Sequence, residues 1–558
     1  SRQAAYAVLI YCCQPLLHYE MRNLHPRHTL EHLHRFDGAL IKAAEQITTV
    51  NFTDNENPLD DERELNIRRS QLRLPKKFQG GALRSQEAVA PLAYLGGLLA
   101  AIRGMVNSTT AGEHRRQITR RGFHHELGTW LLGTEAGFEE NAAPPYRYMI
   151  NQGRRWGQHV TDIWNKSQAD YGGEDNDTEW LAVNPEAAGT NEGGEQIYTD
   201  KIQQMLTEML DKRLYEDVSK HMKELQKESR RRRQWSALDD FSAQFIASIP
   251  KTPETTIPNA NMQITFEEYF GAPCKAAGDI RRAHPNRYNK YADQAASSAG
   301  KHLTDRRHND ILLTIKHLAQ GAKLDCDAFP RNLFIAQVRQ ADGRDENDNT
   351  TRQGLLPDFL YTKQGVRILM DVKTMAMCPT RYNKNSTEGR ARAVVRRQKS
   401  VHNEYLNKAR KADRNYNDHD SREQGNAAGP VETELHNYPR VKGLVVGAFG
   451  EVSPDLREFV EDIAEGWAGQ WMEMGHRTKE EARAIARHNA KKLIGIQGVR
   501  SYAKMKLRRI LDIRAGHMEK KQQRDNDARR EANFQLQMNT DYRQLYDRGC
   551  RELAQIFV

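Results

Sequence analysis

Leu355-Leu356-Pro357-Asp358-Phe359-Leu360-Tyr361-Thr362, then Lys363-Gln364-Gly365, then Val366-Arg367-Ile368-Leu369-Met370-Asp371-Val372-Lys373-Thr374 is the stretch on which the fold turns. Two β-prone runs flank a turn that contains glycine, the pattern of a β-hairpin. Side chains alternate along a strand, so Asp371 and Lys373 share one face. A tight turn centred on Gln364-Gly365 sets Lys363 opposite Val366. Counting outward one residue on each arm brings Asp358 opposite Asp371, with Cβ atoms about 5 Å apart. Two carboxylates so placed repel unless a cation stands between them. A hard divalent cation with oxygen ligands, Mg²⁺ or Mn²⁺, is the simple resolution: Asp358 and Asp371 as ligands and the Val372 carbonyl as a third oxygen. Lys373 would then orient or deprotonate a water and neutralise charge on a phosphate. The competing reading is an ordinary exposed hairpin with Asp and Lys on its wet side. Three things weigh against it: the pairing of the two acids, the apolar residues beside both, as if the sheet were covered, and the order helix, hairpin, basic helix, apolar strand.

Upstream of the hairpin, Ile311, Leu312, Ile315 and Leu318 repeat at helical spacing, giving an expected helix over 305–320. Downstream lie a basic helix over 390–413 and a short apolar run, Leu444 to Phe449, that suits a buried parallel strand. Between Arg381 and Arg414 there are 11 Lys/Arg against 3 Asp/Glu, most of the chain's net +10. Charge localised in this way points to a polyanion, DNA or RNA, with Arg381, Arg390, Arg392, Arg396, Arg397 and Lys399 as candidate backbone contacts; a solvated helix face with a flexible loop is the alternative.

The hairpin in this setting resembles the PD-(D/E)xK nuclease motif: Pro357-Asp358, twelve intervening residues, then Asp371-Val372-Lys373. That resemblance implies a helix, a three-stranded meander with the acids on its second and third strands, a further helix and a last core strand. More closely, the chain resembles the C-terminal half of non-LTR retrotransposon polyproteins that carry a restriction-like endonuclease. Arg306-Arg307-His308-Asn309 is similar to their upstream Arg-His motif, which adds Arg307 as a DNA contact and His308 to the catalytic set. Tyr405 and Lys408 are similar to their downstream Tyr/Lys element. His308 also reads as a helix cap, Tyr405 as packing at helical spacing from Val401, and Lys408 as a solvated cation. Cys13-Gln14-Pro15 and Met21 to Arg27 look like the end of a reverse-transcriptase thumb, and Leu74-Pro75, Gly80-Gly81-Ala82-Leu83-Arg84-Ser85 and Ala90 to Gly96 like the segment after it. The resemblance implies target DNA and element RNA as partners, together with an upstream reverse-transcriptase domain of the same polyprotein. Two departures stand out. No CxxC pair or zinc-knuckle spacing is present among the six cysteines, and no strand context suits a polymerase aspartate pair.

Working outward, we expect an α+β, helix-rich protein: a helical N-terminal region, a restriction-endonuclease-like α/β core with a mixed central sheet flanked by helices, and a helical C-terminal extension. The expected segments are 1–110, the thumb remnant and following helices; 111–260, helical with an acidic linker at 167–200; 261–475, the nuclease domain; and 476–558. The linker carries nine Asp/Glu and no Lys or Arg. Arg230-Arg231-Arg232-Arg233 reads as a solvated helix surface rather than a phosphate site. Hydrophobic residues make up 38% and charged residues 28%, and no apolar run approaches the roughly 20 residues that span a bilayer, so no membrane association is expected. The chain begins at Ser1 on a helical pattern, which reads as a cut within a longer protein. Few, scattered thiols suit a reducing compartment, nuclear or cytoplasmic, with nuclear favoured.

Overall fold

The computed structural model describes residues 1–24, 26–53, 62–90, 92–94, 97, 202–226, 229–330, 333–342, 355–378, 382, 393–414, 416, 428–473 and 478–515. The acidic segment 167–200, the stretch 98–166 and the charged C-terminal run after 515 lie outside them. The described part is helix-rich with one four-stranded mixed sheet, an α+β arrangement. The helices that matter below are α1 (Pro26–Thr48), α2 (Glu62–Arg73), α3 (Ile202–Glu224), α4 (Arg230–Ala237), α5 (Asn259–Phe270), α6 (Lys301–Gly321), α7 (Ala393–Ala412), α8 (Pro454–Glu473) and α9 (Lys479–Arg514).

The strands are β1 (Cys326–Ala328), β2 (Phe359–Lys363), β3 (Val366–Thr374) and β4 (Lys442–Val446), in that spatial order. β1 and β2 are antiparallel, as are β2 and β3, while β4 runs parallel to β3. Lys363 faces Val366 and Phe359 faces Met370, the register that a two-residue turn demands. Gln364 and Gly365 both hold positive φ, 51° and 79°. Two successive left-handed residues make the turn whose twist matches the strands, and glycine at the second position removes the Cβ penalty.

β3 is covered on both faces, which is why it reads as a nearly continuous apolar run. Ile368, Met370 and Val372 pack with Ile311, Leu312 and Ile315 of α6 and with Phe459, Val460 and Ile463 of α8. Leu369, on the opposite face, packs with Val401, Tyr405 and Ala409 of α7. These α7 residues recur every four positions, the stripe of an amphipathic helix. α7 lies directly on β4 at Gly443, where a Cβ would come within 3.0 Å of Gln398 Cα. Gly443 is the β4 neighbour of Asp371, so the missing side chain lets α7 close over that carboxylate.

The largest core draws on Tyr6, Leu40, Leu72, Leu238, Phe266, Val445 and Tyr502, so the N-terminal helices, the 230–270 region, the sheet and α9 share one set of packed side chains. α9 packs against α8, α6 and α5. Its small residues allow this; a Cβ on Gly495 would come within 2.3 Å of Phe241 O.

The four arginines overturn the solvated-surface reading. Arg230 and Arg231 are buried. Arg230 pairs with Asp293 and Glu268, and the fully buried Lys506 of α9 also pairs with Glu268. Arg231 donates to Gln71 of α2 and to Gln234. A buried guanidinium must find acceptors or it stays unfavourable, and here the acceptors come from α2, α5 and the 289–293 turn. The run is an internal joint between distant segments, and its partners lie too far away in sequence for charge patterning to reveal them.

Beside this joint Glu267 is buried, with one oxygen accepting from Gln263 and Lys275 N and the other lacking a hydrogen-bond partner. Burial pushes its pKa up to about 7. A raised carboxyl pKa favours the folded state below the unfolded value, and that stability is lost as pH rises through the folded value. Glu267→Gln should therefore match the wild type near pH 4.5 and exceed its stability by about 3 kcal/mol at pH 8. Urea midpoints at both pH values check this; equal midpoints at pH 8 would show that the carboxylate is not strained by burial.

Candidate active site at the end of the β2–β3 ladder

In an antiparallel ladder, both the N–H and the C=O of alternate residues point to the same neighbouring strand. For β3 the even-numbered residues face β2. Met370 pairs with Phe359, so Val372 is next in line and would exchange bonds with residue 357. That residue is Pro357, which has no N–H to give. The ladder stops there, and the peptide of Val372 is left to side chains. Asp358 Oδ2 accepts from Val372 N at 2.7 Å, in place of a backbone carbonyl. His308 Nε2, from α6, lies 3.0 Å from Val372 O and 3.1 Å from Asp358 Oδ2.

The sequence expectation of two directly facing carboxylates therefore needs correction. Asp358 lies one residue beyond the paired strand, and its carboxylate turns toward the freed Val372 amide. The acids still sense each other: burial first, then the charge of Asp358, raise the pKa of Asp371, against the opposing pull of Lys373 and Tyr405. Asp371 is buried, and its Oδ2 forms an ion pair with Lys373 Nζ that lacks hydrogen-bond alignment. Tyr405 OH lies 3.0 Å from Asp371 Oδ1 and 3.0 Å from Leu356 O. A phenol has one proton, so it serves one of these acceptors at a time. The repulsion anticipated from sequence is thus met by side chains of the chain itself: His308 at one acid, and Lys373 with Tyr405 at the other.

His308 is a member of this cluster and not a surface cap. Burial opposes its charged form, but the hydrogen bond and charge of Asp358 outweigh it and hold the ring's pKa above the ordinary value. Asn309 Oδ1 lies 3.2 Å from its Nδ1. With acceptors near both nitrogens, the ring is placed as a double donor. Tyr405 is fully buried and both packs and bonds, so the two readings of that residue merge. Lys408 is exposed and sits over the Tyr405 ring, 4.4 Å from its centroid.

The expected DNA contacts divide. Arg307 is 2% exposed. Its guanidinium donates to Met375 O at 2.8 Å and Gly447 O at 2.7 Å, where β3 and β4 end and their carbonyls would otherwise be orphaned. It cannot reach a DNA phosphate from there, and the surface-contact expectation is corrected. Arg397 pairs with Glu404 on its own helix. Arg396 is half-buried and Lys399 exposed on α7. Arg381, Arg390 and Arg392 lie outside the described residues. Glu404, bound chiefly to Arg397 and more weakly within the field of Lys373, has no role in the sequence expectation; its place one residue before Tyr405 on a basic helix is the available signal.

A hard cation suits the donor set: two carboxylates and a main-chain oxygen whose ladder partner is a proline. Among the described residues, no three His, Cys, Asp or Glu side chains form a metal-ligating group, so a cation at Asp358 and Asp371 would complete its shell with Val372 O and water. Also among the described residues, no helix is long and apolar enough to cross a membrane.

No protein-family model matches the chain, and no curated protein matches it.

Tyr405→Phe leaves Asp371 Oδ1 buried with one donor fewer. It should destabilise the fold by about 1–3 kcal/mol, the cost of an unsatisfied buried acceptor. Urea denaturation reads the difference, and a loss below about 0.5 kcal/mol would mean that the phenol does not support the acid.

Proposed function

We propose that this chain carries a Mg²⁺-dependent endonuclease of the restriction-like kind, and that it is the C-terminal part of a non-LTR retroelement polyprotein. The observation that carries the reading is the interrupted ladder. Pro357 frees the Val372 peptide beside two acids, and Lys373 shares the face of Asp371. Two carboxylates, a histidine and a lysine then converge at the end of the hairpin.

In this reading Asp358, Asp371 and Val372 O hold the cation, which when bound supplies Lewis-acid polarisation of a phosphodiester and lowers the pKa of water. Lys373 orients the attacking water and offsets charge on the phosphate oxygens. Tyr405 and the α7 cover fix Asp371 so that little reorganisation is needed. His308 would have to give up the Val372 carbonyl and Asp358 for those oxygens to serve as ligands. The water oxygen bonds to phosphorus, the bond from phosphorus to O3′ breaks, and the proton shed by the water is matched by one taken up at O3′. The products are a 5′-phosphate and a 3′-hydroxyl, and the latter end suits priming of reverse transcription on target DNA. The partners in this reading are target DNA, the element's RNA and an upstream polymerase domain; Mn²⁺ would serve as an alternative cation, and the nucleus is the favoured setting.

A second reading, a nucleic-acid-binding module that does not cleave, has one observation in its favour: His308, Lys373 and Tyr405 already satisfy both acids. Nicking of supercoiled plasmid separates the two. Wild type should nick with Mg²⁺ or Mn²⁺ and not with EDTA. Asp371→Ala should lower the rate at least a thousandfold, about 4 kcal/mol of activation free energy, and leave DNA affinity within about threefold. Cleavage retained by Asp371→Ala would reject the assignment of this site, and absence of cleavage by wild type would favour the binding module.

A further inference from the structure

Five basic side chains from three distant segments gather where α9 packs on the loop around Gln244. Lys76 follows α2, Lys251 lies in the loop after Pro250, and His488, Lys491 and Lys492 sit within two turns of α9. Lys76 Nζ donates to Gln244 Oε1 at 3.1 Å. Gln244 Nε2 donates to Asp240 O at 2.7 Å, and Lys491 Nζ donates to Asp240 Oδ2 at 2.7 Å. α9 presses on this loop so closely that a Cβ on Gly495, one turn beyond Lys491 and Lys492, would lie 3.2 Å from Gln244 Cβ.

The cations are close enough to weaken one another. Burial and then Lys492 lower the pKa of Lys76; burial and then Lys251 lower that of Lys492. His488 is held down by burial, Lys76, Lys492 and Lys491. The neighbouring carboxylate, Asp240, is already shared by Arg457 and Lys491. Lys76, Lys251 and Lys492 form no ion pair among the described residues, and Lys251 is exposed. A folded chain that gathers like charges from positions 76, 251 and 488–492 accepts a repulsion that local sequence does not impose. Such a cluster is favourable when an anion covers it.

We propose that Lys76, Lys251, His488 and Lys492 form a backbone-binding surface for duplex DNA, separate from the Asp358–Asp371 centre. Lysine ammoniums are point charges without a planar fork, which suits sequence-independent contact with successive phosphates. Further along α9, Lys504 lies 3.8 Å from Asp310 of α6 and within the field of Arg306, two residues before His308. The choice of DNA over another polyanion rests on the nuclease reading; the surface itself does not.

The test uses the full chain, a labelled DNA duplex longer than two helical turns and a folded RNA of similar length, both in EDTA, with anisotropy followed between roughly 50 and 200 mM salt. The triple substitution Lys76→Gln, Lys251→Gln, Lys492→Gln should weaken duplex binding at least tenfold at the low-salt end. It should also reduce the slope of log affinity against log salt by about 2–3. Because repulsion is removed, its thermal midpoint without DNA should equal or exceed that of wild type. Lys492→Gln alone, with a slope change of about 1, gives the same reading with a smaller perturbation to folding. Unchanged slope and affinity in both variants would overturn the proposal, and so would a loss confined to RNA. A wild type that binds through this surface but never cleaves would sink the nuclease reading and leave this one standing; full cleavage with an unchanged slope would do the reverse.

Discussion

The Val372 peptide group is the constraint on which the site depends. A buried N–H and C=O must be satisfied, and the ladder residue due to satisfy them is a proline. The chain therefore recruits Asp358 to accept from the N–H and His308 to stand against the C=O. The missing amide hydrogen leaves the Val372 C=O to His308 of α6, while the Val372 N–H, for which Pro357 still has a carbonyl, is taken by the Asp358 carboxylate. Next to it Asp371 points into the cover provided by α7, where Gly443 permits contact and Tyr405 supplies a donor. A regular ladder extended by one more pair would have consumed the same groups and left no convergence of side chains.

Buried charge in this protein is organised in two separate ways. In the joint around Arg230, Glu268, Asp293 and Lys506, two cations face two anions inside the core. Replacement of such clusters by apolar side chains is often neutral or better for stability, whereas removal of one member is costly. Their effect is to fix which segments meet: α4, α5 and α9 are held in one arrangement because any other leaves a charge unpaired. At the ladder end the balance is looser. Asp371 has a lysine that is itself partly exposed and a phenol with one proton for two acceptors. Its carboxyl remains raised by burial and by Asp358 in spite of them. At the joint the anions are paired by buried cations, whereas at the ladder end Asp371 keeps a raised carboxyl pKa beside a partly exposed lysine.

The hairpin was legible because its signals are local. Turn chemistry at Gln364-Gly365 fixes the register, and the period of two then fixes that Leu369 and Asp371 share a face. The helix before it and the parallel strand after it follow from apolar spacing, and the helix-rich α+β character follows from the rest. What sequence could not supply were the tertiary partners. Arg307 is indistinguishable in sequence from a surface arginine until the ends of β3 and β4 offer it two carbonyls. Arg230 and Arg231 look solvated until α2 and α5 close on them. The point at which the ladder stops was in principle readable, since Pro357 falls where Val372 needs a donor. That point follows from hydrogen-bond parity, whereas the facing of Asp358 and Asp371 follows from side-chain parity alone.

Arg307 and His308 are adjacent on α6, yet they serve opposite edges of β3. Arg307 clamps the β3 and β4 carbonyls from inside the core, while His308 reaches the open side beyond β2. A helix displaces neighbouring residues together, so any shift of α6 that loosens the clamp also moves the imidazole from Val372 O. Stability of the sheet and geometry of the acids are therefore coupled through one turn of helix. α9 packs along the same α6 and carries His488 and Lys492 of the basic surface.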